Sequence, residues 1–297
     1  MESWRQNPLV FWAFLLPGGL WLVLFFLVPL SLIWAFSFGE RTGVVDIAIT
    51  GTLANYWEAL DPLYLTIFWK SFWVAAVATL VTLIIGFPVA LAVSFAPPRL
   101  KPVLLLLVIL PFWTNLLIRT YAMIAVLRTQ GYVNFGLAYL WDGADVVLAT
   151  FGLGALPKFQ PLTLLYNDAA VIIGIVYVYL PFMVLPLYAT LERLDRSFLE
   201  ASLDLGAGQL RTMADIVIPL AKPGIISGII LVFIPALGTF LISDLLGGPD
   251  SQLIGNVIER QFKAANNWPL GAAMSFILLY LTFAALALRS YLSSDDV

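Results

Sequence analysis

A polar stretch set between two long apolar runs indicates how this chain is organised. Residues 200–219 read EASLDLGAGQLRTMADIVIP. Ser197 and Glu200 have the spacing of a capping box, in which a hydroxyl and a carboxylate satisfy each other's backbone amides, so we expect a short helix to begin near Phe198. Gly206 suits the left-handed residue that ends such a helix.

A second helical pattern follows the glycine. Its apolar residues recur at i, i+3, i+4 and i+7, namely Leu210, Met213, Ala214 and Val217. We expect Pro219 and Pro223 to stop this helix and to start the next apolar run. The stretch is therefore predicted to form a helix–turn–helix at a membrane surface. A compact exposed element of this kind is typical of a docking site.

The composition identifies an integral membrane protein. The chain has 297 residues, of which 61% are hydrophobic and 11% are charged, whereas soluble domains contain about 25% charged residues. It has no Cys and no His, which excludes disulfides, catalysis by either residue, and metal sites built from thiolate or imidazole. The net charge of −3 and the lack of a basic run argue against nucleic-acid binding.

The apolar runs predict an all-α fold. A membrane-spanning helix needs about 20 mostly apolar residues. About six such spans are predicted, near residues 9–36, 67–95, 103–127, 169–191, 224–245 and 269–289. We divide the chain into a first transmembrane helix with an outer loop (1–66), a core (67–290) that contains the loop 192–223, and a tail (291–297).

The distribution of Lys and Arg predicts the orientation of the chain, because cytoplasmic loops are enriched in them. One set of short segments holds Arg5, Arg99, Lys101, Arg193, Arg196, Arg211, Lys222 and Arg289. The opposite set is longer in total and holds Arg41, Arg128, Lys158, Arg260 and Lys263. We therefore expect both termini and the stretch 200–219 to be cytoplasmic.

Polar residues interrupt the third predicted span, where residues 111–121 read PFWTNLLIRTY. Thr114, Asn115 and Arg119 are unusual there, since a charge within the membrane is costly unless it faces protein or water. Asn115 and Arg119 are four residues apart and are expected to share one helix face. That face either lines a path or braces a partner subunit. Alternatively, Arg119 extends to the outer interface.

Residues 200–219 resemble the EAA loop of binding-protein-dependent ABC importer permeases. The pattern of that loop is Glu-Ala-Ala, three residues, Gly, nine residues, Ile, one residue, Leu-Pro. The residues in register are Glu200, Ala201, Gly206, Ile216 and Pro219. Two positions depart, with Ser202 in place of the second Ala and Ile218 in place of Leu. The alternative is that Glu200 and Gly206 only cap and end their own helix.

Further segments resemble the polyamine (spermidine/putrescine) branch of these permeases. They are residues 111–134, 233–238 and 247–271, and with the EAA loop the resemblance covers most of residues 65–285. It implies the type I ABC importer permease fold in a bacterial inner membrane. It also implies an ABC ATPase dimer, a second homologous permease subunit and an extracytoplasmic substrate-binding protein as partners. Permeases for opines, phosphonates or other amines share similar stretches and remain an alternative.

The resemblance implies that the helix at Glu200 sits in a groove of the ATPase and moves with it. The predicted ATPase-coupling residues are Glu200, Ala201, Leu203, Asp204, Gly206 and Ala207. Asp204 and Arg211 either pair with the partner or stay solvated. Since the chain has no Gly-x-x-x-x-Gly-Lys-[Ser/Thr] phosphate loop, we expect no cofactor in it, and ATP and Mg²⁺ to bind to the partner ATPase.

A polyamine is a flexible polycation, so a site for it needs carboxylates and aromatic faces. The candidate substrate-path residues are Trp113, Asn115, Arg119, Tyr121, Tyr177, Tyr179 and Asp244. Alternatively, the aromatic residues pack or anchor at the interface, and Asp244 caps the end of its span. We expect Pro235 and Gly238 to kink or unwind the fifth span beside the path.

The segment 128–168 is predicted to form short helices on the outer surface, either as a docking face for the binding protein or as a variable loop. The sequence disfavours two other classes of function. An ion-coupled secondary transporter often shows internal repeats and charged residues near the middle of the membrane, and a membrane-embedded enzyme needs clustered catalytic groups. The chain shows no convincing repeat and no clustered intramembrane carboxylates, so both are disfavoured.

Overall fold

The computed structural model describes residues 8–43, 46–152, 156–195 and 197–293. Within these ranges, five helices are long and apolar enough to cross a membrane, and a bent helix pair adds a sixth span if it is counted as one. The predicted all-α fold with about six spans is thus confirmed. Arg5, Arg196 and residues 294–297 of the predicted tail lie outside the described residues.

The elements of the described residues follow one another along the chain. In order they are α1 (Pro8–Leu22), a π-helical turn (Val23–Leu27), α2 (Val28–Phe36), β1 (Gly39–Arg41), β2 (Ile47–Ile49), α3 (Ala54–Ala59), α4 (Pro62–Phe95), α5 (Lys101–Ile109), a 3-10 turn (Leu110–Trp113), α6 (Leu116–Leu127), α7 (Tyr132–Thr150), α8 (Asp168–Leu191), α9 (Ser197–Asp204), α10 (Gln209–Thr212), a π-helical turn (Met213–Val217), α11 (Ile218–Leu237), α12 (Leu241–Leu246), α13 (Ile254–Lys263) and α14 (Trp268–Ser293).

The chain forms two compact units, residues 1–65 with 257–297, and residues 66–256. In the first unit, β1 and β2 pair antiparallel. Trp34 Nε1 donates a hydrogen bond to the hydroxyl of Tyr280 at 2.8 Å and so ties α2 to α14. The buried amide of Asn55 in α3 donates to the carbonyls of Ser37 and Gly39. These bonds hold α3 against the start of the hairpin.

In the second unit, α8 packs between α4 and α11. Met183 of α8 lies against two glycines, because a Cβ on Gly86 would be 2.9 Å from Met183 Cγ and one on Gly228 would be 2.5 Å from Met183 Sδ. Small residues let membrane helices approach closely. Around this contact lies the core of the unit, formed by Ala90, Val184, Leu187, Leu191, Val217, Ala221 and Val232.

The third predicted span, 103–127, is wrong as a single helix. The helices on either side of residues 114–115 are bent by 95°. Pro111 has no N–H with which to continue the helical ladder, and Thr114 Oγ1 donates to Pro111 O at 2.7 Å. Asn115 then caps α6, since its Oδ1 accepts a hydrogen bond from Leu117 N at 2.8 Å. Local polar bonds therefore break a segment that is apolar on average.

Pro219 and Pro223 do not stop the second helix of residues 200–219, contrary to expectation. The chain stays helical from Gln209 to Leu237. Ile218 N bonds to Met213 O, five residues back, in a π-helical turn. This turn shifts the register of the backbone hydrogen bonds, so the continuous helix accommodates Pro219, which has no N–H to donate.

The fifth predicted span, 224–245, also ends earlier than expected. Helix α11 stops at Leu237, with Gly238 as its C-cap, and α12 is a separate short helix. The predicted interruption at Gly238 is confirmed, whereas Pro235 lies inside α11. Asp244 accordingly belongs to the first turn of α12 and does not cap the end of a span.

Candidate coupling loop and transport path

Helix α9 ends in a left-handed glycine. Gly206 has φ of +83°. Its N–H bonds to Leu203 O at 2.9 Å, and Ala207 N–H bonds to Ser202 O at 3.1 Å, which together form a Schellman motif. Apart from its two chain neighbours, no described residue has an atom within 4 Å of the position that a Cβ would take at Gly206. Glycine is therefore required by the backbone conformation and not by lack of space, as the sequence predicted.

The start of α9 differs from the predicted capping box. The helix begins at Ser197, one residue earlier than expected, and Asp195 Oδ1 accepts a hydrogen bond from Ser197 N at 3.0 Å. Bonds from the backbone and then from the side chain of Ser197 lower the pKa of the Asp195 carboxyl below its ordinary value. The capping carboxylate is thus that of Asp195, and Glu200 remains exposed.

The loop 192–223, which we call the coupling loop, exposes apolar side chains. Leu205 and Leu210 are each 88% exposed, and Leu203 is also exposed. Of the other predicted coupling residues, Glu200, Ala201, Asp204 and Gly206 are exposed and Ala207 is half-buried. The six residues lie in and directly after one short helix. Adjacent apolar residues on a surface are typical of a protein interaction site.

Two hydroxyl groups lie beneath this surface. Ser202 Oγ and Thr212 Oγ1 are 2.9 Å apart, and both residues are buried. The bond joins α9 to α10 across the turn at Gly206. Sequence reasoning noted Ser202 only as a departure from the EAA pattern and did not single out Thr212.

Arg119 is the buried cation of the predicted transport path. Its Nη2 donates to Thr114 O at 2.8 Å and its Nε donates to Thr114 Oγ1 at 3.2 Å. The guanidinium carbon lies 5.9 Å from the ring centre of Tyr177. Arg119 therefore does not extend away from the protein. It also shares no helix face with Asn115, which is the extended N-cap of α6 with ψ of 138°.

The other path candidates are only partly brought together. The hydroxyl of Tyr179 lies near the side chain of Thr239, beside the break after α11, and its ring lies 6.0 Å from that of Phe182. Trp113, Tyr121 and Asp244 are exposed. Their side chains make no hydrogen bond, ion pair or ring contact with Arg119, Tyr177 or Tyr179 among the described residues.

Two lysine–carboxylate pairs hold the ends of α8. At its first residue, Asp168 Oδ2 lies 3.0 Å from Lys70 Nζ, which also donates to the carbonyl of Asp250. At its last turn, both carboxylate oxygens of Glu192 lie 2.7 Å from Lys101 Nζ. Sequence reasoning did not predict either pair. The available signal was Lys70 itself, a lone charge in an otherwise apolar helix.

The interrupted helical core and the exposed loop are those of a membrane protein with several spanning helices. Residues 8–295 match the model of the family described as binding-protein-dependent transport system inner membrane component, and the chain belongs to this family. A solved bacterial ABC transporter involved in alginate import has the same fold. It superposes with a TM-score of 0.73 over 99% of this chain and 98% of that chain, at 14% identity. The fold is thus that of a type I ABC importer permease.

Several relatives match most of the chain. The spermidine/putrescine transport system permease protein PotB of Escherichia coli (strain K12) is 45% identical over 87% of this chain and 88% of its own length. The Haemophilus influenzae protein of the same name is 42% identical over 88% and 86%. The inner membrane ABC transporter permease protein YdcU of E. coli is 31% identical over 99% and 93%. The chain is a transport permease subunit and not an enzyme.

Proposed function

We propose that this chain is one of two permease subunits of an ATP-driven importer for polyamines, with spermidine and putrescine as substrates. The observation that carries the proposal is the 45% identity with the spermidine/putrescine permease over 87% of the chain. That coverage includes most of the helical core, so the two proteins share more than the loop common to the superfamily. The alginate transporter, by comparison, shares the fold at 14% identity.

The coupling loop is the docking element for the ATPase dimer, which binds ATP and Mg²⁺. The exposed Leu203, Leu205 and Leu210 supply apolar surface for a groove in that partner. The Schellman turn and the bond between Ser202 and Thr212 hold this surface in one conformation. A rigid element of this kind transmits a displacement of the partner into α11, because the helix continues from the loop without interruption.

The coupling loop and both chain termini are cytoplasmic in this proposal. The asymmetry of Lys and Arg between the two sets of loops supports that orientation. The first residue of α8 then faces outward, on the side where the substrate-binding protein delivers the polyamine. A second, homologous permease subunit completes the path.

The path runs beside the two helix breaks, at Thr114–Asn115 and at Gly238–Thr239. Non-helical backbone is tolerated at membrane depth where it is buried in protein or lines a cavity. The hydroxyl of Tyr179 lies near the side chain of Thr239 at the second break. Arg119 braces the first break through Thr114 and would repel a polycation, so we assign it a structural role and not a contact with substrate.

The test is uptake of labelled spermidine and putrescine by cells that lack their own polyamine importers. The chain is expressed with its neighbouring subunits, with either an intact or a catalytically dead ATPase. We expect saturable uptake that disappears with the dead ATPase. An assembled complex that hydrolyses ATP but imports neither polyamine would refute the assignment of polyamines as the substrate. Uptake that persists with the dead ATPase would refute ATP hydrolysis as the energy source.

A further inference from the structure

The ammonium group of Lys70 is held by acceptors from two other elements of the second unit. Lys70 lies near the start of α4, and its Nζ is 3.0 Å from the carboxylate of Asp168, at the start of α8. The same Nζ donates to the carbonyl of Asp250, in the loop that follows α12. One ammonium thus joins α4, α8 and this loop.

These acceptors suit a primary alkylammonium group in general. A carboxylate supplies the charge, a carbonyl accepts a second N–H, and an ammonium has three N–H donors to offer. The Lys70 side chain ends in the same group as each end of spermidine and putrescine. The Asp168 side chain is 48% exposed and that of Lys70 is 28% exposed, so a ligand can reach the carboxylate from solvent.

We propose that the Asp168 carboxylate and the Asp250 carbonyl form a binding site for a substrate amino group, and that Lys70 occupies this site when no substrate is present. The inference rests on the proposed polyamine substrate and orientation. An entering polyamine displaces Lys70 and takes over its two acceptors. The displaced lysine no longer joins α4 to α8, so binding of the substrate loosens the contact that holds these helix ends together.

The pair at the other end of α8 offers a matched comparison. Among the described residues, Lys101 Nζ donates to the two carboxylate oxygens of Glu192 in an ordinary ion pair. It lies on the side of the coupling loop and not on the side of substrate entry. We therefore assign it no part in initial substrate binding.

The test measures equilibrium binding of labelled spermidine to the purified complex in lipid nanodiscs, without the binding protein. Lys70→Met removes the internal competitor and should tighten binding by roughly threefold or more, because the competent fraction of the site rises. Asp168→Asn removes the charged acceptor and should weaken binding by about tenfold. Lys101→Met and Glu192→Gln should leave the binding constant unchanged.

The decisive result is that Lys70→Met and Asp168→Asn change the affinity for spermidine in opposite directions. If the pair were only a structural brace, either substitution would break it and the two effects would have the same sign. Changes in the same direction for Lys70→Met and Asp168→Asn would overturn the inference. Lys70→Arg keeps a cation on the acceptors and should bind spermidine like the wild type. If Lys70→Met does not assemble, Asp168→Asn and Lys70→Arg decide the question. Unchanged binding in Asp168→Asn would then overturn the site.

ATP-dependent spermidine uptake by the wild-type complex is measured with the same preparation. Its absence would refute the proposed function itself. If the wild type imports spermidine but Lys70→Met and Asp168→Asn do not change its affinity in opposite directions, only the proposed ammonium site is refuted.

Discussion

Ser202 and Thr212 share a buried hydrogen bond of 2.9 Å between their hydroxyl groups, directly beneath the turn at Gly206. The turn is therefore fixed twice, by the backbone bonds of the Schellman motif and by a side-chain bond that joins α9 to α10. Because α10 continues through the π-helical turn into α11, this bond connects the exposed helix α9 to a membrane-spanning helix.

A mutant cycle on this pair tests whether the bond stabilises the loop. Ser202→Ala leaves the Thr212 hydroxyl buried without its partner, at a cost of about 1–3 kcal/mol. The double variant Ser202→Ala/Thr212→Val replaces both groups by apolar ones, so we expect it to recover much of the lost thermal stability. The unfolding midpoint of the purified complex is the measurement.

Ser227→Ala is the control for that cycle, because the exposed Ser227 hydroxyl donates to Pro223 O within its own helix. It should lower the midpoint less than Ser202→Ala does. Strictly additive losses in the Ser202 and Thr212 variants would show that the two hydroxyls act independently.

The pair formed by Lys101 and Glu192 ties the start of α5 to the end of α8, next to the coupling loop. Lys101→Glu or Glu192→Lys alone places like charges opposite each other and should slow spermidine import by roughly three- to tenfold. The charge-swapped double variant restores an attractive pair and should recover most of the rate. A double variant as slow as the two single changes combined would exclude a direct role of the pair in transport.

The orientation can be tested with single cysteines, since the chain contains none. Leu210→Cys lies on the coupling loop, and Glu58→Cys lies on exposed α3. A membrane-impermeant maleimide should label Glu58→Cys in intact spheroplasts and Leu210→Cys only after permeabilisation. The ATPase should also protect Leu210→Cys in the assembled complex. The reverse labelling pattern would overturn the proposed topology.

Composition and local pattern predicted the fold well where one segment determines its own structure. Long apolar runs indicated the spans, and the conformational freedom of glycine predicted the left-handed Gly206. The break at Thr114–Asn115 was missed because average hydropathy continues across it, while three local polar bonds decide the backbone. Pro219 was misinterpreted as a stop, since a π-helical turn cannot be read from the residue type alone.

The candidate site was less predictable because its contacts join distant parts of the chain. Ser202 and Thr212 are separated by 10 residues, and Lys101 and Glu192 by 91. No periodic pattern relates such positions, which become neighbours only when α4, α5, α8 and α11 pack. Likewise, Ser197 was predicted to cap the start of α9, whereas the structure shows Asp195 in that role. Both residue types are good caps, and only the geometry distinguishes them.

The most direct test of the central claim, that the coupling loop converts ATP hydrolysis into transport, compares Gly206→Val with Gly208→Val. The added side chain meets no atom within 4 Å of its Cβ at either position, but φ is +83° at Gly206 and −75° at Gly208. Only Gly206→Val is strained, since the left-handed conformation costs about 1–2 kcal/mol for a residue with a Cβ. Gly208 is the N-cap of α10, where Val is less favourable than Gly, so Gly208→Val controls for a local loss of stability without left-handed strain.

The measurement is the number of spermidine molecules imported per ATP hydrolysed, in proteoliposomes that contain the complete complex and its binding protein. We predict that Gly206→Val still assembles and hydrolyses ATP but imports far fewer spermidine molecules per ATP, whereas Gly208→Val keeps a ratio close to that of the wild type. An unchanged ratio in Gly206→Val, with the complex intact, would contradict the account.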